Sequence, residues 1–271
     1  MCSSDLGAKT LLNGVVDSAG KTANDDLNFA LDNIFNHPNV GPFVATKLIK
    51  QLVKSNPSPG YVARVAAAFN DNGLGVRGDM KTVVKAILLD PEARLGDNSF
   101  DASLGDTSGN GALKEPVIFF AHTLRGLNAQ VNDSNTLASR ANALGQNIYF
   151  PPSVFSYFSP FYDIPGTGLL GPEFQLDTRS VAIERANQMN TLIYGSYGAG
   201  TTVDFGVWTY LAGTPSTLAD TLGFIFLHGD LPSDYRKQLL SAITGTTTSN
   251  LEKARSGLYV VLTSGYYAVK K

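Results

Sequence analysis

Residues 37–54, HPNVGPFVATKLIKQLVK, carry the clearest helical pattern in this chain. The positions that share one apolar face at the 3.6-residue period of an α-helix are Val44, Leu48, Ile49, Leu52 and Val53. On the other face lie Lys47, Lys50 and Lys54, which are predicted to be solvated, with a contact for an anionic partner as the alternative. Pro38 pushes the residue before it out of the helical region, so any preceding helix must end there.

The neighbouring segments carry signals for further helices. Ser58 followed by Pro59 is typical of an N-cap and a first helical position. Asp79 is predicted to cap the next helix, whose apolar face holds Met80, Val83, Val84, Ile87 and Leu88. Because helices of this length need a partner for their apolar faces, we expect them to pack against one another.

A second helical set is predicted after residue 113. It comprises helices from Pro116 through Leu124, from Thr136 to Leu144 and from Asp177 to Tyr194, and three more capped by Ser216, Ser233 and Asn250. The predicted fold is all-α, a multi-helix orthogonal or irregular bundle with long loops, and Leu11–Val16 could add one short N-terminal strand. We expect residues 1–271 to be part of one larger helical domain, with candidate subdomains 22–94 and 113–271 joined by a loop over 95–112.

Composition excludes several classes of function. The 271 residues are 43% hydrophobic and only 16% charged, with a net charge of −2. Such a weak field argues against nucleic acid as a partner. No apolar run approaches the ~18 residues that a membrane-spanning helix needs. Cys2 lies in a start that matches no pattern and that we interpret as non-native or truncated, so neither a disulfide nor a thiol nucleophile is expected.

Several short motifs resemble the signature of one bacterial family. They are residues 37–43, Arg77-Gly78-Asp79 and residues 89–94, with further matches at 114–117, 151–155 and 171–176. The family they resemble is known as domain of unknown function 1800. The positions that we assign to its structural motif are His37, Asn39, Arg77, Asp79, Arg94 and Glu115.

The resemblance implies a bacterial protein whose family has no assigned reaction. It also implies frequent export and genes that lie beside sulfatase-like exported proteins. Family members are usually longer by an N-terminal half, so the resemblance implies that this chain is the C-terminal part of a larger domain. We expect the apolar run at residues 117–121 to need cover from that half and to contribute to an exposed patch without it.

The densest unusual segment is residues 149–162, which interleaves seven aromatic residues with three prolines. Prolines prevent a regular helix, so the rings are predicted to be presented from a stiffened loop, where they could stack on sugars or other flat ligands. The candidate ligand-binding residues are Tyr149, Phe155, Tyr157, Phe158, Tyr162 and Arg179. In the alternative interpretation, the loop folds back and its rings fill the gap between the two helical sets.

Candidates for acid–base chemistry are few. Glu173 follows the aromatic segment, and His37 precedes a proline, where we expect its ring to cap the carbonyls of the preceding helix. No second carboxylate is evident to complete the pair that glycosidic chemistry requires. Glu184 and Arg185 are adjacent on one helix and are expected to pair with other elements. The three histidines lack metal-ligand spacing, so neither a metal nor another cofactor is predicted.

Two functions remain open at this level. The first is a binding or assembly module of the cell exterior, either periplasmic or secreted, with a polysaccharide or a sulfatase-like exported neighbour as partner. The alternative is a hydrolase that acts on a polysaccharide or a similar polymer, with Glu173 and His37 as its candidate catalytic residues.

Overall fold

A computed structural model describes residues 7–95, 111–195, 197–198, 200–245 and 249–270. This part of the chain is mainly helical and contains only short antiparallel strands, which confirms the predicted all-α fold. The chain divides into two compact units. Unit 1 comprises the described residues of Met1–Leu52 and Pro57–Asp90, and unit 2 those of Val53–Asn56 and Pro91–Lys271. Most of the predicted loop 95–112 lies outside the described residues.

Unit 1 contains four helices and one hairpin, whose two strands are two residues long. Strands β1 (Lys9–Thr10) and β2 (Val16–Asp17) pair antiparallel around a 3-10 turn at Leu12–Gly14, so the chain reverses within the segment where we considered a single strand. The helices are α1 (Ala23–Phe35), α2 (Val40–Leu52), α3 (Pro59–Asn70) and α4 (Met80–Leu89). Helices α1, α3 and α4 each begin after an N-cap residue. The side chains of Thr22, Ser58 and Asp79 accept hydrogen bonds from backbone N–H groups of the first turn.

The core of unit 1 lies between α2, α3 and α4. Its fully enclosed side chains are Ala45, Ile49, Tyr61, Val65, Val83 and Ile87, and the Tyr61 hydroxyl donates to the Ile87 carbonyl at 2.7 Å. The face predicted for α2 is only partly correct, because Leu52 is exposed whereas Gly41 and Ala45 are buried. Gly41 allows close packing, as a Cβ there would lie 3.3 Å from the Ala66 carbonyl oxygen. Helix α1 buries none of its residues.

Unit 2 contains the remaining helices. They are α5 (Pro91–Leu95), α6 (Pro116–Gly126), α7 (Ser134–Ala143), α8 (Arg179–Tyr194), α9 (Gly206–Leu211), α10 (Pro215–Phe226), α11 (Ser233–Gly245), α12 (Asn250–Leu262) and α13 (Gly265–Ala268). Strands β3 (Ala112–Leu113) and β6 (Val269–Lys270) pair antiparallel, as do β4 (Gln130–Val131) and β5 (Thr201–Thr202). Helix α10 begins at Pro215, one residue before its predicted cap, and α12 begins at Asn250 itself after Ser249.

The core of unit 2 is continuous and aromatic. Phe119 packs edge to face on Tyr267, and Phe226 does the same from α10. In the apolar run at 117–121, Phe119 and Phe120 are 1% and 3% exposed and belong to this core, whereas Ile118 is 38% exposed. Lys54 was predicted to be solvated, but it is 7% exposed because its ammonium pairs with Glu92 at 3.2 Å.

Among the helices of the described residues, none combines the length and the hydropathy of a membrane span.

Candidate functional site

The signature residues of unit 1 form a structural clamp. The Arg77 guanidinium donates to the carbonyls of Phe35 at 3.1 Å and of His37 at 3.2 Å, and to the Asn70 side chain. It also lies over the Phe35 and Phe69 rings, at 5.5 and 5.0 Å from their centroids. Arg77 therefore satisfies the carbonyl end of α1 and ties it to the end of α3.

His37 has a different role from the one predicted. Its ring nitrogen Nδ1 accepts the backbone N–H of Asn39 at 3.2 Å, so it holds the turn before α2 instead of capping α1. The carbonyl end of α1 is served by Arg77, since a guanidinium offers several donors in a fixed fork. Within unit 1, His37 thus contacts backbone, which gives it a structural role in this turn.

Gly78 and Asp79 complete this motif. Gly78 has a φ of +78°, and a Cβ there would lie 2.7 Å from the Phe35 ring, so only glycine fits without a shift. The Asp79 carboxylate accepts from Lys81 N and Thr82 N in the first turn of α4. A hydrogen bond from Asn72 helps to hold the pKa of Asp79 below its usual range. The other two motif residues lie in unit 2, Arg94 in α5 and Glu115 before α6.

The aromatic segment of unit 2 has no helix between α7 and the 3-10 turn at Pro172–Gln175. It is nevertheless anchored at several points. Asn56 makes two hydrogen bonds to the Leu170 backbone, at 2.7 and 3.0 Å. Gly171 N donates to the Tyr162 carbonyl at 2.9 Å, and Ser159 N donates to the Gln175 side chain at 2.7 Å. These bonds fix the path of a loop that carries many rings.

Four aromatic rings of this segment are well exposed. Tyr149 is 91% exposed, Phe150 and Phe161 are each 72% exposed, and Phe155 is 66% exposed. Phe150 and Phe161 were not among the candidate ligand-binding residues, because the sequence does not distinguish outward from inward rings in an irregular loop. The predicted candidates Tyr157, Phe158 and Tyr162 are half-buried, and Arg179 is exposed at the start of α8.

Glu173 occupies a different setting from the exposed rings. It is 6% exposed, and its Oε2 atom has no hydrogen-bond partner in the described part of the chain. Burial raises its pKa, and the nearby carboxylate of Glu115 raises it further, while the Lys270 ammonium, 4.0 Å from Oε1, opposes the rise. Glu115, which the sequence indicated only as part of the structural motif, is thus a carboxylate that influences Glu173, and it accepts a hydrogen bond from the Gln146 side chain at 2.7 Å.

Lys114 is another buried charge of unit 2 whose burial the sequence did not predict. It is 3% exposed, its ammonium donates to the Tyr267 carbonyl at 2.7 Å, and it lies 3.9 Å from the centroid of the Tyr267 ring. Burial lowers its pKa from 10.5 to about 8. A motif of the type Lys-Glu-Pro gives no signal that its lysine is enclosed.

Lys114 and Glu173 line one small cavity, together with the ion pair of Arg185 and Asp177, whose side chains are 3.2 Å apart. Its volume is about 10 Å³, which is about what one water molecule requires. Arg185 thus has Asp177 as its ion-pair partner. The adjacent Glu184 accepts a hydrogen bond from the Gln188 side chain at 2.9 Å. The cavity has acidic and basic groups in close proximity but no room for a sugar ring.

The histidines do not assemble into a metal centre. Burial lowers the pKa of His122, and His228 sits at a positive φ after α10. Among the described residues, no group of three or more His, Cys, Asp or Glu side chains could hold a metal ion.

Comparison with protein-family models places these features in a known group. A family model described as a protein of unknown function (DUF1800) matches residues 3–269. The chain belongs to this family. The match covers nearly all of both units of this DUF1800 protein, and it includes the clamp around Arg77, the aromatic segment and the Glu173 cavity. Searches of curated proteins and of solved structures found no match.

Proposed function

We propose that this DUF1800 protein is a non-catalytic binding module of the cell exterior, and that residues 149–162 bind its ligand. The observation that carries the proposal is the exposure of Tyr149, Phe150, Phe155 and Phe161, each at least 66% accessible on one anchored segment. Burying a large side chain is worth roughly 1.5–3 kcal/mol. Four rings with this exposure on one short segment therefore indicate a surface for contact with a ligand.

A polysaccharide is the ligand class that we favour. Aromatic rings present flat apolar faces at low entropic cost, and the apolar faces of sugar rings stack on them. The anchors at Asn56 and Gln175 reduce the ordering that binding would otherwise require. The low charge of the chain suits a neutral ligand better than a strongly ionic one.

The test is affinity electrophoresis and calorimetry with soluble neutral polysaccharides such as xylan and mixed-linkage glucan. We expect Tyr149→Ala and Phe155→Ala each to weaken binding roughly fivefold, since one stacked ring contributes about 1 kcal/mol. Tyr210→Ala is the matched control, because Tyr210 is 84% exposed but lies on α9. Equal binding by all three variants, or no binding by the wild type, would refute the proposal.

Export and partners form the second part of this proposal. The family resemblance supports an extracytoplasmic location in the full-length protein, with an N-terminal half and a sulfatase-like exported neighbour as further partners. Cell fractionation of the tagged full-length protein tests the location. Recovery in the cytoplasm alone would contradict it.

A hydrolase is the second candidate, and one observation favours it. Burial raises the pKa of Glu173, as a general acid requires, but the cavity that Glu173 lines has room for about one water molecule and not for a sugar ring, so a hydrolase would need this cavity to open. His37, the other predicted catalytic candidate, holds a turn of unit 1 and adds nothing to this case. Release of reducing sugar that Glu173→Gln abolishes, with the fold intact, would favour the hydrolase over the binding module.

A further inference from the structure

Unit 2 also contains a larger pocket, to which none of the residues 149–162 contributes. Its volume is about 250 Å³, and it lies where the end of α6 meets α9 and α10. The residues that line it are Gly126, Leu127, Asn128, Asp204, Val207, Trp208, Leu211, Thr221 and Ile225. An apolar cavity of roughly 150 Å³ holds one benzene molecule, so this pocket has room for about one or two small rings.

The floor of the pocket belongs to the core of unit 2. Leu127 and Trp208 are 2% and 5% exposed, and Trp208 packs on Phe226 with 5.9 Å between the ring centroids. At the rim, Val207 and Ile225 are 66% and 38% exposed. The pocket is therefore open to solvent above a floor that packing holds in place, so a ligand would have little ordering to impose on the floor.

The one charged residue in this lining is Asp204. Its Oδ1 atom accepts a hydrogen bond from the Gly206 N–H at 2.8 Å, and Asp204 forms no ion pair within the described part of the chain. Arg125 lies in the last turn of α6, but it is not part of the lining, which contains no basic side chain. The pocket thus has a carboxylate without a cation to balance it.

Three features of the lining favour a positively charged ligand. The Oδ2 atom of Asp204 is left to accept a charge-assisted hydrogen bond from an ammonium group. Trp208 supplies an indole, the aromatic ring that attracts cations most strongly. Gly126 and Leu127 bring the carbonyl end of α6 to the pocket, and that end of a helix carries a partial negative charge.

We propose that this pocket binds a small organic cation, in which an ammonium group is joined to one or two rings. The ammonium would pair with Asp204, and the rings would pack against Leu127 and Trp208. This site is separate from the polysaccharide surface, because different residues of unit 2 form the two. The proposal therefore does not depend on polysaccharide binding.

The test uses Trp208 as its reporter, because it is the one tryptophan in the 271 residues. Indole fluorescence of the full chain is titrated with phenethylamine, and also with phenethyl alcohol and phenylacetate, which have a similar size but are neutral and anionic. We expect phenethylamine to change the fluorescence with a dissociation constant on the order of 0.1–1 mM, as its few atoms allow. The other two compounds should bind at least about fivefold more weakly, because neither offers a cation to the carboxylate.

Two variants with matched controls locate the site. Asp204→Asn keeps an oxygen for the Gly206 N–H and should weaken phenethylamine about tenfold while leaving phenethyl alcohol unchanged. Its control is Asp234→Asn, on α11, where the side chain is 84% exposed. Ile225→Ala removes part of the apolar rim and should weaken both compounds about threefold. Its control is Phe224→Ala, since Phe224 is 75% exposed on α10 and is not in the lining.

Three results would overturn the proposal. One is indole fluorescence that none of the three compounds changes up to its solubility limit. Another is binding of phenylacetate or phenethyl alcohol as tight as that of phenethylamine, which would show that the pocket does not select a cation. The third is equal binding of phenethylamine by the Asp204→Asn and Asp234→Asn variants, which would show that the Asp204 carboxylate takes no part.

Discussion

Replacing Lys114 with methionine should change how the stability of this protein depends on pH. Methionine keeps most of the length of the side chain but removes the charge. In the wild type, the ammonium is 3% exposed, and burial lowers its pKa from 10.5 to about 8. The unfolded chain therefore binds this proton more tightly than the folded chain does, so stability rises as the pH rises.

The magnitude follows from the pKa. Lowering it from 10.5 to about 8 corresponds to roughly 3 kcal/mol of destabilisation when the lysine is fully protonated. Loss of the hydrogen bond to the Tyr267 carbonyl offsets about 1–2 kcal/mol of that in the variant. We therefore expect Lys114→Met to be more stable than the wild type by about 1–2 kcal/mol near neutral pH.

The change with pH is the sharper quantity, because it depends only on the pKa values of Lys114 in the folded and unfolded chains. From about pH 7 to about pH 9.5, the wild type should gain about 2 kcal/mol relative to the variant as the folded lysine loses its proton. The buried tyrosines Tyr197 and Tyr267 have raised pKa values, so they remain neutral in the folded state over this range.

Urea denaturation of both proteins at several pH values measures this difference. The matched control is Lys237→Met, because the side chain of Lys237 is 76% exposed and its ion pair with Asp234 is on the surface. The control curve should run parallel to that of the wild type. If the curve of Lys114→Met also ran parallel to that of the wild type, it would refute the conclusion that a buried lysine with a lowered pKa destabilises the fold.

Two further substitutions test the packing. Arg77→Ala removes the hydrogen bonds to Phe35 and His37 and the contact with two rings, and should destabilise the protein by about 2–3 kcal/mol in urea denaturation. A loss below about 0.5 kcal/mol would show that the clamp is dispensable. Gly126→Ala places a Cβ 2.4 Å from the Phe226 ring and should lower stability by about 1–3 kcal/mol. Gly245→Ala is the control and should not lower stability, because no described atom lies within 4 Å of a Cβ at that position. Equal stability of the two variants would argue against tight packing at Gly126 of α6.

The helices were predictable where caps and period agree within a segment. Ser58 and Asp79 accept first-turn N–H groups as expected, because an N-cap needs only a short polar side chain at one position. Helices α5, α9 and α13 were missed, since five, six and four residues are too few to display a 3.6-residue period. The two-residue strands were missed for the same reason. Their pairing depends on segments distant in sequence, as when β3 meets β6.

Burial was harder to predict than helix formation. The predicted lysine stripe of Lys47, Lys50 and Lys54 implies solvent for Lys54, yet Lys54 lies beyond the end of α2 and pairs with Glu92, a residue 38 positions away. Lys114 is enclosed because Tyr267 and Glu173 come from distant segments to surround it. The spacing of apolar residues identifies the apolar face of a single helix. It does not show which other elements of the fold pack against that helix.

The family motif at Arg77, Gly78 and Asp79 differs in physical character from the candidate binding surface at residues 149–162. Arg77, Gly78 and Asp79 direct their polar atoms at neighbouring backbone and side chains, which fixes a turn and two helix ends. Tyr149 and Phe155 do the opposite, since an anchored loop holds them in solvent although each would gain free energy from burial. A motif whose polar groups bind one another specifies the fold of its unit. Rings that remain exposed on an anchored loop need a partner from outside, and for that reason we assign ligand binding to the segment at 149–162.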